Sequence, residues 1–449
     1  MSLCSSERAR MKRYMGNRQR IRRTICQNDG RARLLRNSGC PVEKQNLESI
    51  CRYRNEAVFA RDVKCEEYIS TESMVANRGG ITPASSDPSD GKVKRYRKDD
   101  VLVSNIRPYF KKIWHASHDG ACSNDVLVFE ATKCDPSYLF WVLSSDAFFD
   151  YMMKTAKGTK MPRGDKKAIM GYQVGLPPVD QQKAICEILE SLQEKIALNN
   201  QLNGYLYNLM DAMFQKQFRH SSPRYGSIYD IADVIYGAAF KSSLFNEGKE
   251  GYPLIRIRDL TTFSPQFYTC EEHPKRTFIK PGDVVAGMDA EFSPTFWLGE
   301  EAVLNQRVCC FAPPKDSSIS RSYLLFALKP LLAFIQNYAS GTTVAHMGKS
   351  DLEALKVPLP TQSDLEQFAS AAEPMRHVIV GNATENARIA MLRDTLLPKL
   401  MSGEIDVSKV DLMQLNSHLY ACMFHFAPTH SFMYHMRVSG PDMRGGLRW

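Results

Sequence analysis

The chain has 449 residues, 43% of them hydrophobic, and a net charge of +9, enough apolar chain for two to four cored domains. No apolar run approaches a membrane span, the N-terminus has no hydrophobic block, and the twelve cysteines form neither a Cys-x-x-Cys pair nor a zinc-spaced cluster. This argues against an anchored, secreted or disulfide-framed protein and for free thiols in a reducing cytoplasm.

Residues 1–40 hold ten arginines and Lys12 against Glu7 and Asp29. That head carries the whole net charge, so bulk charge is no sign that the folded body binds nucleic acid. We read 1–40 as a basic, flexible extension, with an arm along phosphates or a transit-like segment as alternatives. From 41 to 178 a first globule is expected, with strands at Cys65–Ser70, Asp100–Val103 and Asp125–Phe129. A helix over Ser137–Tyr151 and a Lys/Arg/Gly/Pro loop over Gly158–Gly164 complete it.

After Pro177-Pro178, residues 179–219 read as one helix. Ile185, Leu189, Leu192 and Ile196, then Leu206, Met210 and Met213, follow a 4-3 spacing that Asn199 and Asn203 interrupt. Such a helix is about 60 Å long, too long for an ordinary globular core, so it needs a partner of similar length.

The chain then repeats itself. In a second globule, 220–360, strands are expected at Ile228–Tyr236 and Leu254–Ile257, and Pro281-Gly-Asp-Val-Val echoes Asp99-Asp-Val-Leu. A shift of 183 residues takes Asp100 onto Asp283, Lys166 onto Lys349, and Ile185 onto Phe368. It also takes Leu192, Ile196 and Met213 onto Met375, Ile379 and Leu396, and Asn199 and Asn203 onto Asn382 and Asn386. A second long helix, 361–403, is therefore expected, closing at Gly403. Two helices of one heptad phase with matched asparagines suggest a coiled coil whose register buried amides fix. The fold class is α/β or α+β: two pseudo-twofold-related globules, each followed by a long helix. Residues 404–449, with His418, His425, His430 and His435, form an appendage that fits no metal template.

Catalytic motifs are not visible. The run from Gly341 to Lys349 looks like a phosphate loop, but six residues separate its glycines where four are needed. There is neither an Asn-Pro-Pro-aromatic stretch nor a glycine-rich adenosylmethionine loop. Asp351, Glu353 and Lys356 could imitate a nuclease centre, yet read more simply as surface charges, and no histidine has an evident triad partner. No catalytic and no metal-binding residue is assigned.

LPPVDQQKAICEILESLQEKIALNN (176–200) and LRDTLLPKLMSGEIDV (392–407) resemble the central and distal conserved regions of the specificity subunit of type I DNA restriction-modification enzymes. YISTESMVANRGGI (68–81), SNIRPYFKKIW (104–114), CSNDVLVF (122–129) and GTKMPRGDKKAIM (158–170) are similar to pieces of one class of its target-recognition domains. The resemblance covers roughly 45–410. It implies a non-catalytic chain whose two globules each read half of a split DNA target, held apart by antiparallel helices. Two DNA methyltransferase subunits would dock along the helices and translocase-endonuclease subunits could join. S-adenosylmethionine, and ATP with Mg for restriction, would belong to those partners. The second half departs from the first at Ala345-His346-Met347-Gly348, where Pro162-Arg163-Gly164 stands in the first.

Arginine pairs bidentately with guanine, amides with adenine, and lysines hold phosphates. The first-half candidates for DNA contact are thus Asn77, Arg78, Asn105, Arg107, Lys111, Lys112, Lys160 and Arg163, with Tyr109 and Trp114 interleaved. The second-half candidates are Lys241, Arg256, Arg258, Thr342, Thr343, His346 and Lys349. Two other classes stay open: a nuclease with an unrecognised active site, and a coiled-coil assembly protein without sequence specificity.

Overall fold

The computed structural model describes residues 43–84, 88, 91–158, 160–218, 224–339 and 346–407. The basic extension and nearly all of the histidine-bearing appendage lie outside the described residues. Contacts divide the chain into two compact units: the described parts of Met1–Leu192 with Met391–Cys422, and of Gln193–Ala390.

The first unit contains β1 (Lys44–Asn46), β2 (Cys51–Tyr53), β3 (Ala57–Phe59), β4 (Tyr68–Ile69), β5 (Lys92–Tyr96) and β6 (Val101–Ser104). β7 (Ile113–His115), β8 (Gly120–Cys122), β9 (Val126–Ala131), α1 (Pro136–Ser144), α2 (Asp146–Thr155), α3 (Lys166–Met170) and β10 (Gln173–Gly175) follow, and α4 (Val179–Phe218) begins in this unit. The β6 and β9 strands are buried on both faces, and α1, α2 and the start of α4 cover the sheet with Phe148, Ile185 and Leu189. Where one helix is expected over Ser137–Tyr151, two are found. Ser145 breaks them at ψ 147° and caps the second, its hydroxyl accepting from Phe148 N at 3.2 Å. The expected strand at Cys65–Ser70 is likewise a 3-10 turn followed by the two residues of β4.

The second unit contains β11 (Arg224–Gly226), β12 (Asp233–Tyr236), β13 (Phe245–Asn246), β14 (Tyr252–Ile255), α5 (Asp259–Thr262), β15 (Tyr268–Thr269) and β16 (Phe278–Ile279). It continues with β17 (Val284–Gly287), β18 (Thr295–Phe296), β19 (Ala302–Leu304), β20 (Val308–Ala312), α6 (Arg321–Ala339), α7 (Lys349–Glu353), β21 (Val357–Leu359) and most of α8 (Gln362–Met401). The strand expected from Ile228 starts only at Asp233, because Ser227 and Asp230 close a capping box around a 3-10 turn.

Both units share a plan. The sheet order β2-β9-β6-β7 recurs as β12-β20-β17-β18, strand for strand under the 183-residue shift. In a second sheet, β5 and β4 flank β8, antiparallel and parallel, as β16 and β14 flank β19. The units differ at the margins: β3 extends the first at β5, while β15 and β13 extend the second at β14. The aspartates preceding β6 and β17 also match. Asp100 accepts from Arg97 N (2.7 Å) and Arg54 Nε (2.6 Å), and Asp283 from Lys280 N (2.8 Å) and Arg321 Nε (2.9 Å).

Within the second unit α4 and α8 run antiparallel. Asn199 Nδ2 donates to Asn386 Oδ1 and Glu385 Oε2, both at 2.8 Å, Asn382 Nδ2 donates to Asn203 Oδ1 at 2.7 Å, and Gln217 Nε2 reaches Asp364 O at 2.8 Å. Phe368, Met375 and Ile379 are buried beside Met210 in that unit's core, whereas in the first unit Ile185 and Leu189 share a core with Leu397 and Leu400. Leu192 is buried and Ile196 half-buried. Leu396, expected in the seam, is only half-buried, and Leu397 takes the deeper place.

Asn199 is 3% exposed, so its loss strands polar groups away from water. Asn199→Ala should lower stability by about 1–3 kcal/mol in denaturant unfolding, while Glu194→Ala, exposed on the same helix, should cost less than about 0.5 kcal/mol. Equal effects would contradict this seam.

Candidate nucleic-acid interface

In the first unit three loops meet. The loop after β4 joins the loop after β6 through Asn77 N to Phe110 O (2.8 Å) and Arg78 N to Lys111 O (2.9 Å). The β6 loop pairs in turn with the segment after α2, through an isolated bridge between Ile106 and Arg163 and a bond from Arg107 N to Pro162 O (2.9 Å). Asn77, Arg78, Arg107 and Lys111 all have positive φ, between 50° and 62°. Strain of this kind in non-glycine residues persists only where surroundings hold it, and it gathers at functional surfaces. Tyr109 (46% exposed), Phe110 (37%) and Met161 (46%) stand out on these loops.

The candidates divide by what their side chains touch. Asn77 and Lys160 are exposed and Lys160 has no partner among the described residues. Arg163 is half-exposed, one edge of its guanidinium on Asp125 at 3.1 Å. Lys111 reaches Asp146 at 2.6 Å. Three other candidates for DNA contact have side chains engaged or buried within the fold. Arg78 is committed to Ser144 O (2.5 Å) and to Asp146, tying its loop to the α1–α2 junction. Lys112 donates to Thr71 O at 2.6 Å, and burial pushes its ammonium pKa down. Asn105 is 7% exposed, its amide oxygen lacking a partner among the described residues, as does Arg107 Nε. A Cβ at Gly164 would stand 2.9 Å from that oxygen, the end of a side chain that would have to give way. Trp114 packs edge-on against Tyr96 at 5.7 Å as part of a core.

Burial pushes the Asp146 carboxyl up, but hydrogen bonds from Lys111 and Arg78 outweigh it and hold the group below its ordinary value. The sign follows: this link contributes stability above the unfolded carboxylate pKa and loses it as pH falls through the depressed one.

The second unit repeats the frame with other side chains. An isolated bridge joins Asp289 to His346, the positions of Ile106 and Arg163 under the same shift, and Met347 N donates to Met288 O at 2.8 Å where Gly164 N meets Asn105 O at 3.3 Å. Ala290 stands in Arg107's place and shares its positive φ. Arg258 is exposed, without a side-chain partner among the described residues. Arg256 is held by Asp259 (3.2 Å) and stacks 4.3 Å over Phe267. Lys349 pairs with Glu353 at 3.3 Å, one turn along α7. Lys241 is exposed on the turn before β13, its amide on Glu271 at 2.8 Å, and no described contact brings it to the His346 segment. Thr342 and Thr343 lie outside the described residues.

Of the suspected nuclease set, Asp351 caps Gly348 N at 2.7 Å and Glu353 is taken by Lys349. The carboxylates Asp125, Asp146 and Asp289 that anchor these loops were missed in the sequence. The shift itself, which puts Asp289 on Ile106, was the available signal.

Against known proteins, the family described as "Type I restriction modification DNA specificity domain" matches residues 41–206 and again 225–371. The chain belongs to this family. It carries that domain twice, once in each half. The EcoBI specificity subunit of Escherichia coli is 34% identical over 149 residues, 33% of this chain and 31% of that one. The chain thus spans about a third of that relative's length. The MjaVIII specificity subunit of Methanocaldococcus jannaschii is 24% identical over 62% of this chain and 72% of its own. The crystal structure of the S subunit from M. genitalium, 15% identical, covers 82% of this chain and 97% of that one with a TM-score of 0.50, a likeness of fold.

Lys160→Ala should weaken binding to all duplexes alike and reduce the salt slope by about one without changing the melting temperature. Arg78→Ala should instead destabilise the fold by about 1–3 kcal/mol. Binding titrations across salt, with thermal melts, separate the two.

Proposed function

We propose that the two globules each read one half of a bipartite duplex target while the antiparallel helices set the unread spacing between them. The observation that supports this most is the repetition of one loop frame, Ile106 with Arg163 and Asp289 with His346, with different side chains on each copy. Duplicated readers on a common support suit a split site, since half-site spacing follows module spacing.

The chain positions and a partner reacts. Two DNA methyltransferase subunits dock along the helices, each presented with an adenine in its half-site. The flipped base, the S-adenosylmethionine and the methyl transfer belong to them, and ATP- and Mg-dependent restriction to translocase-endonuclease subunits where these join. One docking face is available on α4: Leu198, Leu202, Tyr205 and Leu209 are 43–63% exposed. Their 4-3-4 spacing makes a stripe about a quarter turn from the asparagine seam. No described helix is long and apolar enough to cross a membrane, in keeping with work on chromosomal DNA in the cytoplasm.

Mixed with its methyltransferase, the chain should direct adenine methylation that neither component performs alone. A Leu202→Asp, Leu209→Asp variant should still bind DNA but fail to co-purify with the methyltransferase. Methylation by the single purified chain would overturn the division of labour.

A further inference from the structure

We infer that Arg163 and His346 are the same reading position in two chemical polarities: Arg163 selects guanine, and His346 selects a base that presents an amino group, adenine or cytosine. The inference rests on the bipartite reading above and deepens it.

The two residues are paired by backbone, beyond alignment. Each forms the isolated bridge of its unit, with Ile106 and with Asp289, and each is followed by a residue whose amide bonds back to the β6 or β17 loop, Gly164 to Asn105 O and Met347 to Met288 O. Their side chains are similarly presented, 55% and 47% exposed. What differs is what holds them. Asp125, from the turn before β9, takes one edge of the Arg163 guanidinium through Nη2 at 3.1 Å to Oδ1 and 3.3 Å to Oδ2. The fork's remaining N–H groups have no partner among the described residues, and a donor fork fits guanine O6 and N7.

At His346 the acid comes from the opposite strand of the bridge. Asp289 Oδ1 lies 2.6 Å from Nδ1, and Arg307 Nη1 closes a triangle at 2.9 Å from Nδ1 and 3.4 Å from the same oxygen. An ionised carboxylate only accepts, so we assign the proton to Nδ1 on the shorter contact, that with Asp289 at 2.6 Å; the Arg307 N–H 2.9 Å from the same nitrogen then turns to the carboxylate oxygen the two share. In the neutral ring Nε2 then carries a lone pair, and it has no partner among the described residues. A lone pair held at that place accepts from adenine N6 or cytosine N4 and repels guanine's acceptor edge. The two halves therefore need different bases at one equivalent step although their backbones agree there.

The test selects duplexes from a random-sequence pool with the chain assembled with its methyltransferase subunits. Wild type should yield a bipartite motif. His346→Arg should shift one position of the second half from adenine or cytosine toward guanine by about tenfold or more, leaving the first half and the spacing unchanged. His346→Ala, a milder change should the arginine disturb assembly, should relax the same position alone. Asp289→Asn, which frees the tautomer, should blunt preference there too. An unchanged second half in His346→Arg and His346→Ala, or a change in the first half, overturns the inference. A wild-type motif that is not bipartite would instead overturn the reading beneath it.

Discussion

The amide seam between α4 and α8 is the constraint on which the rest depends. Asn199 meets Asn386 and Glu385, Asn203 meets Asn382, and the mostly buried Lys195 lies 3.3 Å from Glu385. Apolar residues at heptad spacing tolerate a slip of one repeat; paired amides do not, because each would face a hydrocarbon instead of a partner. One register is thereby singled out. With it come the places at which Phe368 enters the core of the second unit and Ile185 that of the first.

Around that seam the chain separates what must stay from what must vary. The strand orders, the aspartate turns at Asp100 and Asp283 and the loop bridges recur, and all are made by backbone or by hydrogen bonds to a backbone amide. The surface of the same loops does not recur. Tyr109 is exposed where its counterpart Phe292 is 1% exposed, and Asp289 replaces Ile106. A recognition protein needs this division: frame geometry is set by hydrogen bonds that any side chain permits, and discrimination by the few side chains left outside.

Much of the frame was legible in the sequence because its signals are local. The heptad stripe, the two asparagine pairs, the 183-residue shift and the ends of both long helices need only spacing to be read. What was missed is non-local or turns on a single polar atom. Ser145 splits an apolar stretch that periodicity alone joins, and Ile228 is drawn into a turn by Ser227 and Asp230. Arg78 and Lys112 look like free cations until the fold brings Asp146, 68 residues away, and Thr71 O, 41 residues away, beside them. Leu396 and Leu397 differ by one step of about 100° around a helix, too fine a distinction for a pattern whose period is not an integer.

The register itself is open to direct measurement. With cysteines placed at Asn203 and Asn382, mild oxidation should give one dominant crosslink joining those two positions, mapped by mass spectrometry, and the crosslinked chain should keep its DNA motif and spacing. Crosslinking favoured instead between Asn203 and positions a heptad away on α8, or a motif whose spacing changes once the pair is locked, would contradict the account.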